Sequence, residues 1–350
     1  MKRSIHIVCQ FDGSLNYIIE KLIPYLKDDF VVTREGELEP MFRDILLIHH
    51  LHPEIIKDET FNSFKKKILI QPLDGTDIKK EFIELFNKFD LIITPSSAGK
   101  RILKENGIKT KIEIIGNFYT EDLKTKTNID LSQSIPELKE TPFVFYHEST
   151  LNKRKGFKEL CYSYLDAFSN TENANKVLLI IKGLESNHPY NKEIEKDKEE
   201  VFLRQQYYKN PAKIVKISQH LPEDKLNTLL QQSDCYVQLS QIEGFGIPLL
   251  KAAALGKPII TLDNRDCGYM DFLNEDNCYL VNSCKMTKEH GFWLYDKNSL
   301  WTVPYLAAAS KTFQRVLFDY HHISLKNKYD VTAFELNNIA KQYLKILNEI

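Results

Sequence analysis

The stretch YVQLSQIEGFGIPLLKAAALGKPIITL, residues 236–262, decides how the rest of the chain is read. Tyr236 to Ser240 is a short β-prone run, and Pro248 suits the first turn of a helix, where its missing N–H would have had no partner. Leu249, Leu250, Ala253 and Ala254 give that helix an apolar side, Gly256 stands where a left-handed cap is wanted, and Pro258 to Leu262 reads as the next strand. Strand, loop, helix and strand in this order predict parallel pairing through a right-handed crossover, with the loop at the carboxyl edge of the sheet. Glu243 stands at that edge. Gly244 and Gly246 are expected to let the backbone approach a ligand closely, and the N–H groups opening the helix suit an anionic or hydroxyl-rich one.

The same rhythm runs outward in both directions. Toward the amino terminus, SIHIVCQ (4–10), DILLIHHLH (44–52), KKILIQPLD (66–74), FDLIITPSS (89–97) and IEIIGNF (112–118) are β-rich runs. LNYIIEKLIPYLKD (15–28) and AGKRILKENGI (98–108) carry helical spacing, the second closed by Gly107. Residues 119–142 turn polar and lose strand character, so a linker is placed at 126–141. The alternation then restarts with PFVFYHES (142–149), a helix over 156–170, strands in KVLLIIKG (176–183) and KIVKISQ (213–219), and a helix over 222–233. The charged run at 191–210 reads as a solvated helix, and VTAFELNNIAKQYLKIL (331–347) as an amphipathic one. Strands alternating with helices mean an α/β protein with parallel sheets. The expected organisation is one Rossmann-like domain over 1–125, a second over 142–328, and a carboxyl-terminal helix at 329–350 packing back across both.

Composition narrows the function classes. The chain has 350 residues, 27% of them charged, and a formal net charge of −1, so no global field draws it to nucleic acid or to an anionic membrane. Cys9, Cys161, Cys235, Cys267, Cys278 and Cys284 include no C-x-x-C pair, which fits reduced thiols in a cytoplasmic protein. The first residues lack the apolar core of a signal peptide, and no apolar run is long enough to span a bilayer, so the chain is read as cytoplasmic or at most peripheral at a membrane. His49, His50 and His52 lack a fourth ligand at familiar spacing, and they are read as a loop at a cleft edge with no metal.

LSQIEGFGIPLLKAAALGKPII (239–260) resembles the signature of the family-four glycosyltransferases, and three further stretches look like that family's landmarks in the right order. These are residues 89–118, 143–168 and 274–282. The resemblance implies a GT-B fold, two Rossmann-like domains facing a central cleft, and transfer of a hexose from a nucleotide-sugar with retention of configuration. It implies that Glu243, with the backbone of Gly244, Phe245, Gly246 and Ile247, holds the transferred sugar. Lys155, with Arg154 beside it, would neutralise the donor's diphosphate, with Ser149 nearby and Gly13 letting the first domain close over the phosphates. The donor would be a UDP- or GDP-linked sugar, the acceptor a glycan, glycolipid or other hydroxyl, and no metal or other cofactor would be required.

Two positions depart from the family pattern. The second Glu of the signature, which holds the ribose hydroxyls, is Lys251, which can donate to a hydroxyl but cannot accept from one. It is expected to be exposed on its helix. Where many relatives have a His near the donor sugar, Gln71, Pro72, Leu73 and Asp74 stand, and Asp74 is left without the role. Arg154 and Lys155 read equally well as solvated charges. A nucleotide-sugar epimerase of the same fold and a nucleotide-sugar-binding protein without turnover are the rival readings. Replacing Glu243 with Ala is expected to cut turnover far more than it harms folding.

Overall fold

Two separate parallel sheets form from the apolar runs, each with helices laid over its faces. The computed structural model describes all residues except 1, 10–13, 36–42, 52, 55–58, 128, 140–142, 186–190, 289–292, 297–298 and 323–328. The first sheet contains β1 (Ser4–Val8), β2 (Val31–Arg34), β3 (Ile45–His49), β4 (Lys66–Ile70), β5 (Leu91–Thr94) and β6 (Lys111–Ile114) in the order β2-β1-β3-β4-β5-β6. Its helices are α1 (Ser14–Asp29), α2 (Glu59–Ser63), α3 (Lys80–Phe86) and α4 (Ser97–Glu105). Every residue of β3 and β5 is buried, as expected of central strands covered on both faces.

The second sheet runs β12-β11-β10-β7-β8-β9, built from β7 (Phe143–Leu151), β8 (Val177–Glu185), β9 (Lys213–Ile217), β10 (Cys235–Gln238), β11 (Ile259–Leu262) and β12 (Tyr279–Val281). Helices α5 (Phe157–Phe168), α6 (Asn191–Tyr207), α7 (Glu223–Gln232) and α8 (Ile247–Ala254) connect these strands. Alternate residues split between two cores. Phe145, Leu179, Ile181 and Val237 lie on one side of the sheet, and Tyr146, Ile180 and Tyr236 on the other.

The opening stretch folds as its residues predict. Tyr236 pairs in parallel with Ile259, Pro248 sits in the first turn of α8, and Gly246 and Gly256 take φ of 90° and 67°. Sequence patterning named no strand at β2 or β12, nor the antiparallel pair β13 (Ser283–Thr287) and β14 (Leu300–Pro304), nor α9 (Leu306–His322). These strands are short or carry no sustained alternation, so tertiary pairing decides them.

Two returning segments cross between the sheets. Leu294 and Tyr295, from the connection between β13 and β14, are buried in the first sheet's core, and Tyr295 bridges to Ile78. Farther on, the Tyr119 N–H donates to the Phe334 carbonyl and the Tyr119 carbonyl accepts from the N–H of Leu336, which opens α10 (Leu336–Glu349). Ile339, Ala340, Tyr343 and Leu347 of α10 are buried against the first sheet. Leu131 and Ile135, in the polar stretch between the sheets, are buried with the second sheet's core.

Gly156 ends the turn Lys153–Lys155 and opens α5 with φ of 66°, and a Cβ there would lie 2.3 Å from the Leu239 carbonyl oxygen. Gly156→Ala therefore adds left-handed strain to a backbone collision, and should cost about 2–3 kcal/mol in urea or thermal unfolding. A melt unchanged from the parent would show that the turn can relax.

His147 ties β7 to β10, its Nδ1–H donating to the Val237 carbonyl at 2.8 Å. Burial, helped by the nearby Lys155 charge, pushes its imidazole down to about 4. The unfolded chain, with an ordinary value of about 6.5, takes up the proton first. Stability is thus complete above about pH 6.5 and is lost as pH falls toward about 4, by up to roughly 3 kcal/mol at about 1.4 kcal/mol per unit. Urea unfolding across that range should show the slope, and His147→Asn should flatten it.

Candidate functional site

The facing edges of the sheets enclose a cleft of about 660 Å3. On the first sheet's side it is lined by His49, His50, Pro72, Asp74 and Pro95, which end or follow β3, β4 and β5. On the other side Glu148 and Ser149 end β7, Lys182 and Gln238 lie on β8 and β10, and Glu243 to Pro248 lead into α8. All lie toward the carboxyl ends of parallel strands, where open α/β sheets present their binding loops.

Glu243 is 8% exposed, and both its oxygens accept from cations. Lys155 Nζ donates to Oε1 at 2.8 Å and to Oε2 at 2.7 Å, while Arg154 Nη1 donates to Oε2 at 2.9 Å. Burial favours the neutral acid, yet the Lys155 and Arg154 charges outweigh it and hold the carboxyl below its usual range. Burial and the Arg154 charge draw Lys155 down against the pull of Glu243. Arg154 moves the other way, because the charges of Asp74 and Glu243 overcome its burial.

Arg154 joins the two sides. Its Nη1 also donates to the Ile242 carbonyl at 2.8 Å, and Nη2 lies 3.0 Å from Asp74 Oδ2, across the cleft. Asp74 is placed by the β13–β14 connection, since its N–H donates to the Tyr295 hydroxyl at 2.9 Å. Gly244 closes the same contact. A Cβ on it would lie 3.2 Å from both the Leu73 oxygen and Pro72 Cβ, so its bare backbone meets the opposite lobe. The Ser96 hydroxyl donates to the Gly244 carbonyl at 3.1 Å, and the Gly268 N–H to the Glu243 carbonyl at 3.0 Å.

Most of the residues singled out from sequence therefore meet. Glu243, Arg154 and Lys155 form one ionic cluster, and Ser149, Gly244, Phe245, Gly246 and Ile247 line the cleft beside it. Arg154 and Lys155 are not solvated charges, with side chains only 18% and 12% exposed. The Phe245 ring packs at 5.5 Å from each of Phe272 and Phe334. Ser149 has its proton committed, because His147 carries its own on Nδ1 and leaves Nε2 to accept the Ser149 hydroxyl at 2.8 Å.

Lys251 corrects the expectation of an exposed side chain. It is 12% exposed, bonded at 3.1 Å to Glu223 Oε1, and does not line the cleft. The same oxygen accepts from the Tyr17 hydroxyl at 2.8 Å. A part-buried ammonium needs a counter-charge, and α7 presents one in its first turn. Gly13 lies outside the described residues, as does His52. His49 and His50 stand at the cleft edge, and among the described residues no three His, Cys, Asp or Glu side chains gather as a metal would need.

Sequence reasoning passed over Glu148, Lys182 and Gln238 and left Asp74 unassigned. The usable signal was local: KVLLIIKG puts a Lys at the end of an otherwise apolar, fully buried run.

Comparison with known proteins finds likenesses in both halves of the chain. Residues 69–116 match the family described as "Glucosyltransferase 3-like, N-terminal domain", and residues 128–289 that described as "Glycosyl transferases group 1". The chain is similar to an uncharacterized glycosyltransferase of Methanocaldococcus jannaschii, 24% identical over 262 residues, 71% of this chain and 58% of that protein. It thus spans little more than half of that relative's length. Among solved structures it is similar to Anabaena HepE in complex with UDP and glucose, 15% identical with a TM-score of 0.70, covering 99% of this chain and 100% of that one. A glycosyltransferase from Rickettsia africae superposes with a TM-score of 0.68 at 15% identity, covering 99% and 98% of the two chains. An E. coli structure described as trehalose-6-phosphate bound with UDP-2-fluoro glucose gives 0.68 at 13%, covering 95% and 78%. The chain has the GT-B fold, and its residues 128–289 are similar to the glycosyl transferases of group 1.

Proposed function

We infer that this chain transfers a hexose from a nucleoside-diphosphate sugar to an acceptor hydroxyl, with retention of configuration. The observation that carries the reading is the buried Glu243 carboxylate held by Arg154 and Lys155 at the edge of a glycosyl transferases group 1 domain. A uridine diphosphate donor comes first, since the HepE and E. coli neighbours were solved with UDP or a UDP-sugar. In this reading residues 142–328 hold the donor, residues 1–125 face the acceptor, and 126–141 join them. Six free thiols suit a reducing compartment such as the cytoplasm. Among the described residues no helix is long and apolar enough to cross a membrane, and the acceptor is a glycan, a glycolipid or another hydroxyl.

The chemistry required of the protein is positioning and charge stabilisation. Glu243 accepts from hydroxyls of the transferred sugar, and its two cations fix the carboxylate's orientation. As the anomeric carbon–oxygen bond breaks, Lys155 and Arg154 stabilise the departing diphosphate. The acceptor oxygen bonds the anomeric carbon on the same face, and its proton passes to a phosphate oxygen. No metal is assigned a step.

The ion pairs change what a substitution at Glu243 means. Glu243→Ala leaves two part-buried cations without their carboxylate, and such a loss typically costs 3–5 kcal/mol, so it should harm folding as well as turnover. Glu243→Gln keeps the shape and an acceptor oxygen. It should melt between the parent and the Ala variant while losing about 10²- to 10³-fold in turnover. Steady-state rates and thermal melts on the two variants check this, and full turnover in Glu243→Gln would remove the carboxylate from the site.

Chromatography of products from UDP- and GDP-sugars, with and without an acceptor panel, separates the readings. Acceptor-dependent product with the donor's anomeric configuration is expected. Donor converted to another nucleotide-sugar without acceptor would mark an epimerase, and tight nucleotide binding with no product a binding protein.

A further inference from the structure

Lys182 is the cleft's unspent cation. It is 3% exposed and lines the cleft, yet among the described residues no hydrogen bond or ion pair holds its ammonium. Every other Lys or Arg lining the cleft is committed: Arg154 to Glu243 and Asp74, and Lys155 to Glu243. Enclosing most of a lysine without a partner for its ammonium is costly, and this partial burial draws Lys182 below its ordinary range despite the charge of Glu148. Glu148 is its parallel-register neighbour on β7, and its own carboxylate already accepts from the Tyr146 hydroxyl at 3.0 Å.

Its level in the sheet fits a ligand. On the face where Tyr236, Tyr146 and Ile180 are packed into core, the residues two positions on are Gln238, Glu148 and Lys182, and all three line the cleft. Strand order β10-β7-β8 puts Lys182 two strands from the one that leads to Glu243. At about 4.8 Å per strand that is roughly 10 Å, beyond a single sugar ring but within an extended sugar diphosphate.

We propose that Lys182 binds a phosphate oxygen of the nucleoside diphosphate held in this cleft, adding to Arg154 and Lys155 a positive charge that is not shared with Glu243 or Asp74. The inference rests on the nucleotide-sugar reading of the same site and assigns it a residue that the signature does not contain. A charge-assisted contact of this kind is worth about 10- to 100-fold in affinity.

The test compares the wild-type chain, Lys182→Met and Lys182→Arg by calorimetry with UDP, uridine and inorganic pyrophosphate, and by thermal melts. Lys182→Met should melt no lower than wild type, because it removes no hydrogen bond or ion pair among the described residues and relieves a partly buried charge, and should bind UDP about 10- to 100-fold more weakly. Uridine binding should be unchanged, and Lys182→Arg should recover much of the loss. Unchanged UDP affinity in Lys182→Met overturns the assignment while leaving the donor reading intact. An equal loss for uridine overturns it too, by moving the contact to the nucleoside. Pyrophosphate binding that depends on Lys182, without any added affinity for UDP, upholds the residue and sinks the nucleotide-sugar reading. A wild-type chain that binds none of the three sinks both.

Discussion

A guanidinium shared between carboxylates of two lobes is the constraint on which the cleft depends. Arg154 stands on the turn that follows β7 in the second lobe, yet one of its partners, Asp74, follows β4 of the first. Water is largely kept from it, so the pairing is stronger than a surface salt bridge and less forgiving if one member is lost. Around it the backbone closes up: Gly244 against Pro72 and Leu73, Ser96 against the Gly244 carbonyl, and Tyr295 against Asp74. The lobes therefore meet through polar groups held in fixed geometry beside the cleft.

The cluster also explains how a strongly charged site is tolerated in a part-buried place. Two cations and two carboxylates face one another, and the Lys155 and Arg154 charges hold the Glu243 carboxyl ionised against its burial. On the proposed reading, a diphosphate entering the cleft would compete with Glu243 and Asp74 for the same donors, and a ligand with less negative charge could not repay the contacts it loosens.

The sequence made the parallel sheets legible because buried strands are short, nearly unbroken apolar runs, as in ILLIH and LIIT, the second closed by Pro95. The glycine that starts α8 and the proline beside it fixed the loop holding Glu243 before any coordinate was known. What stayed hidden were the contacts set by distant parts of the chain. Nothing near Lys251 in sequence announces Glu223, and nothing near Asp74 announces Tyr295. Lys182 was passed over for a different reason: a lysine in a strand is ordinarily solvated, and the apolar run before it does not by itself mark this one as enclosed at the cleft.

The placement of α10 has a bearing on how the protein is made. Its four buried side chains complete the core of the sheet whose strands are translated first, although the whole second sheet lies between them in sequence. On the ribosome the early lobe must wait, with that apolar surface uncovered, until residues 336–349 emerge. Assembly is therefore circular rather than stepwise, and the lobe begun first is the one sealed last.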